Sequence, residues 1–203
     1  MPASRRAFGV AALSALVVAG CSGGDGLPEA QTDRNYIEGD GTVVQWEPGE
    51  RREPVELSGT TVDGSTVDLA SYRGQVVVLN TWFAGCAPCR KEAADLEAVW
   101  QEYSTRGVRF LGINTYDTAA VAEAFQQAQG ITYPSILDAS SGAAMLALRT
   151  YSPQATPTTL VLDAEGRVAA RASGIVERST LSGMLDDAGA APAAAPSPTS
   201  APA

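Results

Sequence analysis

The chain has 203 residues, 45% of them hydrophobic and 18% charged, which suits one globular domain with extensions. A formal net charge of −9 without any basic block points away from nucleic acid as a partner. With no histidine, Cys–His and Ser–His–Asp nucleophile systems and histidine-containing metal sites are excluded.

Residues 1–20 read as a targeting segment, with Arg5 and Arg6 ahead of an apolar stretch over 8–19 that is short for a bilayer span. Val18-Ala19-Gly20-Cys21 resembles a bacterial lipobox, whose cysteine is acylated and becomes the new N-terminus. That reading makes Cys21 a lipidation site. Ser4-Arg5-Arg6-Ala7-Phe8 resembles the start of a twin-arginine export signal but departs from it at Gly9 and Val10, so Sec export stays open. Residues 21–54 then form a lipidated N-terminus and flexible tether, rich in Gly, Asp, Glu and Pro. Within it, Thr42-Val43-Val44-Gln45-Trp46 reads as either an edge strand or a segment packed on the domain.

A domain of mixed type is expected over 55–188. Strands at 55–57 and 66–69 flank Asp63-Gly64, a hairpin signal. The run Val76-Val77-Val78-Leu79 predicts a buried strand continuing to Thr81. A helix is expected over 90–103, where Leu96, Val99, Trp100 and Tyr103 recur at helical spacing. Residues 108–114 predict a second buried strand. Residues 119–129 predict a helix with Val121, Phe125 and Ala128 on its inner side and Gly130 as its stop. A short strand over 133–137 and a short helix over 142–148 follow. A hairpin pairs 158–162 with 167–172 around Asp163-Ala164-Glu165-Gly166. A last helix over 178–187 buries Leu181, Met184 and Leu185, and 189–203 is an Ala/Pro-rich tail expected to be disordered. Strands alternating with helices, then a hairpin and a helix, predict an α/β domain with a central mixed sheet covered on both faces.

The chemistry concentrates at Cys86-Ala87-Pro88-Cys89, between a buried strand and a helix. A helix N-terminus offers unpaired N–H groups and partial positive charge, and both favour a thiolate on Cys86. One turn on, Cys89 is close enough to resolve a mixed disulfide on Cys86. A purely structural disulfide is the alternative, although so short a loop gives little stabilisation. Two thiolates alone cannot complete a tetrahedral zinc site, so no metal is expected.

The segment from Gly74 to Glu92, with Thr81-Trp82-Phe83-Ala84-Gly85-Cys86-Ala87-Pro88-Cys89 at its centre, resembles the active-site segment of thioredoxin-fold proteins. More closely, it is similar to the exported TlpA/ResA-like thiol–disulfide oxidoreductases. Ala155-Thr156-Pro157-Thr158-Thr159-Leu160 resembles their cis-proline loop, and Gly130-Ile131-Thr132-Tyr133-Pro134-Ser135 fits their insert. The resemblance implies a thioredoxin-like fold with an N-terminal β-hairpin and a central αβ insertion. It implies Cys86 as attacking thiolate, Cys89 as resolving thiol, and a cis bond before Pro157 that exposes the Thr156 backbone to an extended substrate. Glu92, three residues after Cys89 on the same helix face, would take the Cys89 proton; a solvated charge is the alternative. Trp82 matches a family aromatic and would either contact substrate or pack beneath the site. Two departures stand out. Asn80 replaces the buried aspartate of ordinary thioredoxins and cannot exchange a proton, and Gly85 replaces their tryptophan, removing an apolar wall beside Cys86.

The resemblance implies a lipid-anchored reductase of protein disulfides, such as the haem-attachment cysteines of apocytochrome c, fed by a membrane-embedded thiol carrier. It would act as a monomer at the outer face of the cytoplasmic membrane, with no cofactor. A disulfide-forming oxidase is the alternative in the same chemistry. A thiol peroxidase fits poorly, because Phe83 stands where its threonine would precede Cys86. A copper chaperone of the Sco type fits poorly because its cysteine spacing is wider and includes a histidine.

Overall fold

The computed structural model describes residues 42–192, apart from Ser152 and Gln154. The expected leader, the lipidation site Cys21 and most of the tail lie outside the described residues. Eight strands and four helices follow in chain order: β1 Val43–Gln45, β2 Ser58–Thr60, β3 Thr66–Asp68, β4 Val77–Trp82, α1 Ala87–Ser104, β5 Arg109–Asn114, α2 Ala119–Gln129, β6 Ser135–Leu137, α3 Ala143–Ala147, β7 Thr158–Leu162, β8 Val168–Ser173 and α4 Arg178–Asp187. Six strands form a mixed sheet in the order β1-β8-β7-β4-β5-β6, and β2 and β3 form a separate hairpin. β4, β5 and β6 run parallel, β7 is antiparallel to β4, and β8 is antiparallel to β7. This is the thioredoxin-like architecture, with its N-terminal hairpin and the mid-chain α2–β6 unit in place.

β4 lies at the centre of the sheet and is buried along its whole length, as expected of a strand covered on both faces. Its alternation sorts the core. Val78 packs with Phe110, Leu96, Val99 and the α4 residues Leu181, Met184 and Leu185 on one face. Val77 and Leu79 pack on the other with Leu111, Ile113, Leu160 and the residues Val55 and Leu57 ahead of the hairpin. By the same period of two, Asn80 and Trp82 point to the α1 side. They therefore come up beneath the helix that carries the cysteines.

Several expectations shift. Helix α1 begins at Ala87, three residues before the expected start, with Cys86 as its N-cap and Pro88 in its first turn. The proline continues no earlier hydrogen bond there, so it suits the position. The hairpin pairs 58–60, not 55–57, with 66–68; Val55 and Leu57 are buried in the core instead. Helix α2 buries Ala122 and Phe125, while Val121 is 47% exposed and Ala128 is exposed. The Phe125 ring stacks on Trp82 at 4.7 Å between centroids, and that contact fixes the rotation of the helix. The tether also ends earlier than 54. β1 pairs antiparallel with β8 through Val43, Val44 and Gln45, and Arg51 forms a 3.0 Å ion pair with the buried Asp163. Pairing covers an edge that β8 would otherwise expose.

Gly112 on β5 lies where Trp82 and Ser135 meet: a Cβ there would stand 2.7 Å from Trp82 Nε1 and also collide with Ser135 Oγ. Both neighbours are buried. Gly112→Ala is therefore expected to destabilise the domain by about 1–3 kcal/mol through overpacking, read as a thermal midpoint several degrees lower. An unchanged midpoint would show that the Trp82 side of the site repacks freely.

Candidate functional site

The site forms where β4 ends and α1 begins. Phe83 accepts the Cys86 N–H at 3.1 Å, closing the turn that brings the first cysteine to the helix cap. Cys86 and Cys89 are joined in a disulfide across the first helical turn. They are 0% and 3% exposed. Cys86 Sγ accepts the Cys89 N–H at 3.1 Å, so one free amide of the helix end already points at this sulfur. Facing the pair is the Thr156–Pro157 peptide, which is cis. The Thr156 carbonyl oxygen lies 3.7 Å from Cys86 Sγ. In the disulfide that sulfur has no proton to donate, so the approach is a packing contact. The start of β7 is pinned by Thr81, whose hydroxyl oxygen accepts the Thr158 N–H at 2.9 Å.

Behind the disulfide, on the same helix, is a carboxyl group. Glu92 is 1% exposed. Its Oε1 accepts from Asn80 Nδ2 at 2.8 Å, and its Oε2 accepts from the Val176 N–H at 3.2 Å. The second amide proton of Asn80 goes to Thr159 Oγ1 at 3.1 Å. Thus Asn80 joins the dithiol helix to the strand that follows the cis-proline. Burial pushes the Glu92 carboxyl up to about 8, against the downward pull of its Asn80 and Val176 donors; the charge of Asp95 adds to the rise. Burial, and after it the charges of Glu92 and Glu97, also raises the Tyr133 hydroxyl.

Cys86, Cys89, Glu92, Thr156 and Pro157 are thus brought together, as the sequence led one to expect. Trp82 is not presented to a substrate. It is 3% exposed, its indole N–H donates to Ser135 Oγ at 3.3 Å, and it packs with Phe83, Cys86, Cys89 and Phe125. It forms a floor beneath the pair, the packing position that the sequence reading gave beside substrate contact. The sequence reading treated Asn80 only as a lost proton carrier and missed its hold on Glu92. The signal was available in its spacing: Asn80 shares the α1-facing side of β4 with Val78 and Trp82. Asp117 gave no such signal. Its carboxylate accepts the Ala84 N–H at 2.6 Å and Asn114 Nδ2 at 2.8 Å, tying the turn before Cys86 to the end of β5. Among the described residues, no group of acidic, cysteine or histidine side chains is placed to hold a metal ion.

Comparison with known proteins agrees with this geometry. The family model described as "AhpC/TSA family" matches residues 51–171. The chain belongs to the AhpC/TSA family. It is 28% identical over 127 residues to the thiol-disulfide oxidoreductase ResA of Geobacillus kaustophilus, covering 63% of this chain and 71% of that one. A secreted thiol-disulfide isomerase from Corynebacterium glutamicum superposes with a TM-score of 0.67 at 28% identity, over 76% of this chain and 96% of that one. A DsbF homologue from Corynebacterium diphtheriae gives 0.62 at 32% identity, over 74% and 98%. Within the family, this protein is a thioredoxin-fold thiol–disulfide oxidoreductase of ResA type, with the pair Cys86–Cys89.

The raised carboxyl has a stability consequence. The ordinary glutamate value is 4.5 and the folded value is about 8. Between these, the folded protein keeps a proton that the unfolded chain has lost, so stability falls as pH rises and levels off above about 8. The expected result is that urea unfolding of the oxidised protein shows a clear loss of stability from pH 5 to pH 8. Glu92→Gln should flatten that slope. An equal slope in the variant would mean that the carboxyl titrates normally.

Proposed function

We propose that this protein is an extracytoplasmic reductase of protein disulfides, lipid-anchored through Cys21. The observation that carries the reading is the buried Glu92 carboxyl behind the Cys86–Cys89 pair, opposite cis-Pro157. In the reduced state the Cys86 thiolate attacks a substrate disulfide. The Cys86–substrate bond forms as the substrate S–S bond breaks, and one substrate thiolate leaves and is protonated. Cys89 then gives up its proton, attacks Cys86 Sγ and releases the second substrate sulfur. Two electrons pass to the substrate, whose two thiolates take up the Cys89 proton and one proton from solvent, and the pair ends as the disulfide. Glu92 suits the middle step. A carboxylate of ordinary strength is too weak a base for a thiol, which loses its proton near 8.5, whereas one raised to about 8 is matched to it.

The direction follows from how little the surroundings add to the one backbone donor, the Cys89 N–H, that already points at Cys86 Sγ. A dithiol is a strong oxidant when its reduced form is stabilised. Here Pro88 removes one N–H from the first turn of α1. The neighbouring Arg90 directs Nη1 to the Ala84 carbonyl at 2.7 Å. The group behind the pair is an acid, and histidine is absent. All of this favours a reducing pair. The Thr156 backbone beside cis-Pro157 would pair with the extended substrate segment. The likeness to ResA proteins and to a secreted isomerase supports an exported setting. The substrate class is then exported protein disulfides, apocytochrome c haem-attachment cysteines among them. Electrons would come from a membrane-embedded thiol carrier, and the enzyme would act as a monomer without a cofactor. No helix among the described residues is long and apolar enough to cross a membrane.

Cys89→Ser is expected to trap substrate proteins on Cys86 as mixed disulfides, seen as reductant-sensitive adducts in the exported fraction. Cys86→Ser should give none. Absence of adducts with Cys89→Ser would contradict the mechanism.

A further inference from the structure

The turn before Cys86 is bare where ordinary relatives carry an aromatic ring: Gly85 is exposed and has no side chain. A ring is nevertheless presented to solvent close by, from a different element. Tyr116, in the loop between β5 and α2, is 62% exposed. It stands edge-on to Phe83, 6.0 Å between centroids, and Phe83 packs in the same cluster as Cys86.

Its placement is fixed by the backbone. Asn114 Oδ1 accepts the N–H groups of Tyr116 and Asp117 at 3.3 and 2.8 Å. The Asp117 carboxylate accepts from Asn114 Nδ2 and from the Ala84 N–H, and the Thr115 N–H donates to the Trp82 carbonyl at 3.1 Å. The loop that carries the ring and the turn that carries Cys86 are therefore one hydrogen-bonded unit. Beside the ring is a cleft of about 310 Å³, with Ala119, Leu137 and Ala139 as its apolar wall. Leu137 in turn packs against the cluster that holds the cysteines.

Because the backbone that carries the ring is already held, binding at Tyr116 orders only its side-chain torsions. Any polypeptide whose disulfide reaches Cys86 must lay its neighbouring residues along the surface around the pair. An extended chain advances about 3.3 Å per residue, so the side chains flanking the substrate cysteine sweep the surface around the pair, where Phe83 joins the Cys86 cluster to the Tyr116 ring. We propose that Tyr116 and the cleft beside it form a subsite that selects protein disulfides with an apolar or aromatic side chain next to the reacting cysteine. Tyr116 thereby supplies, from the β5–α2 loop, the aromatic surface that Gly85 withholds. The inference rests on the reading of this protein as a reductase of protein disulfides.

The test compares the reduced full chain acting on two synthetic cystine peptides, identical except for Phe or Ser two positions from the cysteine, and on oxidised glutathione. The wild type should favour the Phe peptide. Tyr116→Ala should lower kcat/KM on the Phe peptide about 3- to 10-fold more than on the Ser peptide or glutathione, the size expected for one aromatic contact. Tyr116→Phe should keep the preference. Equal losses on all three substrates would reduce the ring to a structural support and overturn the subsite, as would a wild type that treats both peptides alike. Failure of the wild type to reduce any of the three would instead overturn the reductase reading itself.

Discussion

A buried carboxyl must find hydrogen-bond donors, and the way Glu92 finds them organises the whole site. One donor, Asn80, comes from the central strand β4; the other is the Val176 N–H, from the turn after β8. Two residues earlier, the Gly174 N–H donates to the Pro157 carbonyl at 2.8 Å. The same short turn thus fixes both the acid behind the disulfide and the cis-proline in front of it. Asn80 closes the circuit through Thr159 on β7. Dithiol helix, central strand and cis-proline strand are held in register by polar contacts that are all buried. Loss of any one would leave an unpaired polar group in the interior.

This arrangement depends on the sheet. β4 must be central and buried on both faces for its alternation to lift Asn80 and Trp82 beneath α1 while Leu79 and Thr81 turn away. β7 must pair with it antiparallel, since that register sets Asn80 opposite Thr159 and Thr81 opposite Thr158. The aromatic layer of Trp82, Phe83 and Phe125 then closes off the interior under the cysteines. The disulfide sits between an apolar floor and a polar knot, and the two set the proton affinity of Glu92 between them.

Much of this was legible in the chain. Helices α2 and α4 were bounded correctly because Gly130 stops one and a clear Leu181–Met184–Leu185 stripe marks the other. The two cysteines and Pro157 were legible from local motifs. What local patterns could not give was decided by packing between distant segments. The inner face of α2 turns on one stacking contact between Phe125 and Trp82, so Val121 and Ala128 face solvent despite being apolar. The burial of Trp82 belongs to the same class, through Phe125 and Ser135 far along the chain; the partnership of Asn80 with Glu92, 12 residues apart, was within reach of the β4 alternation. The strand β1, inside what reads as a tether, is fixed by the open edge of β8 and by Arg51 reaching Asp163.

The central claim is that a dithiol whose thiolate has the Cys89 N–H as its backbone donor and no neighbouring cation added to it, with an acid buried behind the pair, is a reducing pair. The reduction potential of the Cys86–Cys89 couple, equilibrated in defined thiol–disulfide buffers, tests this most directly. The account predicts a value near or below roughly −250 mV. A value near roughly −120 mV, that of a strong oxidant, would contradict it.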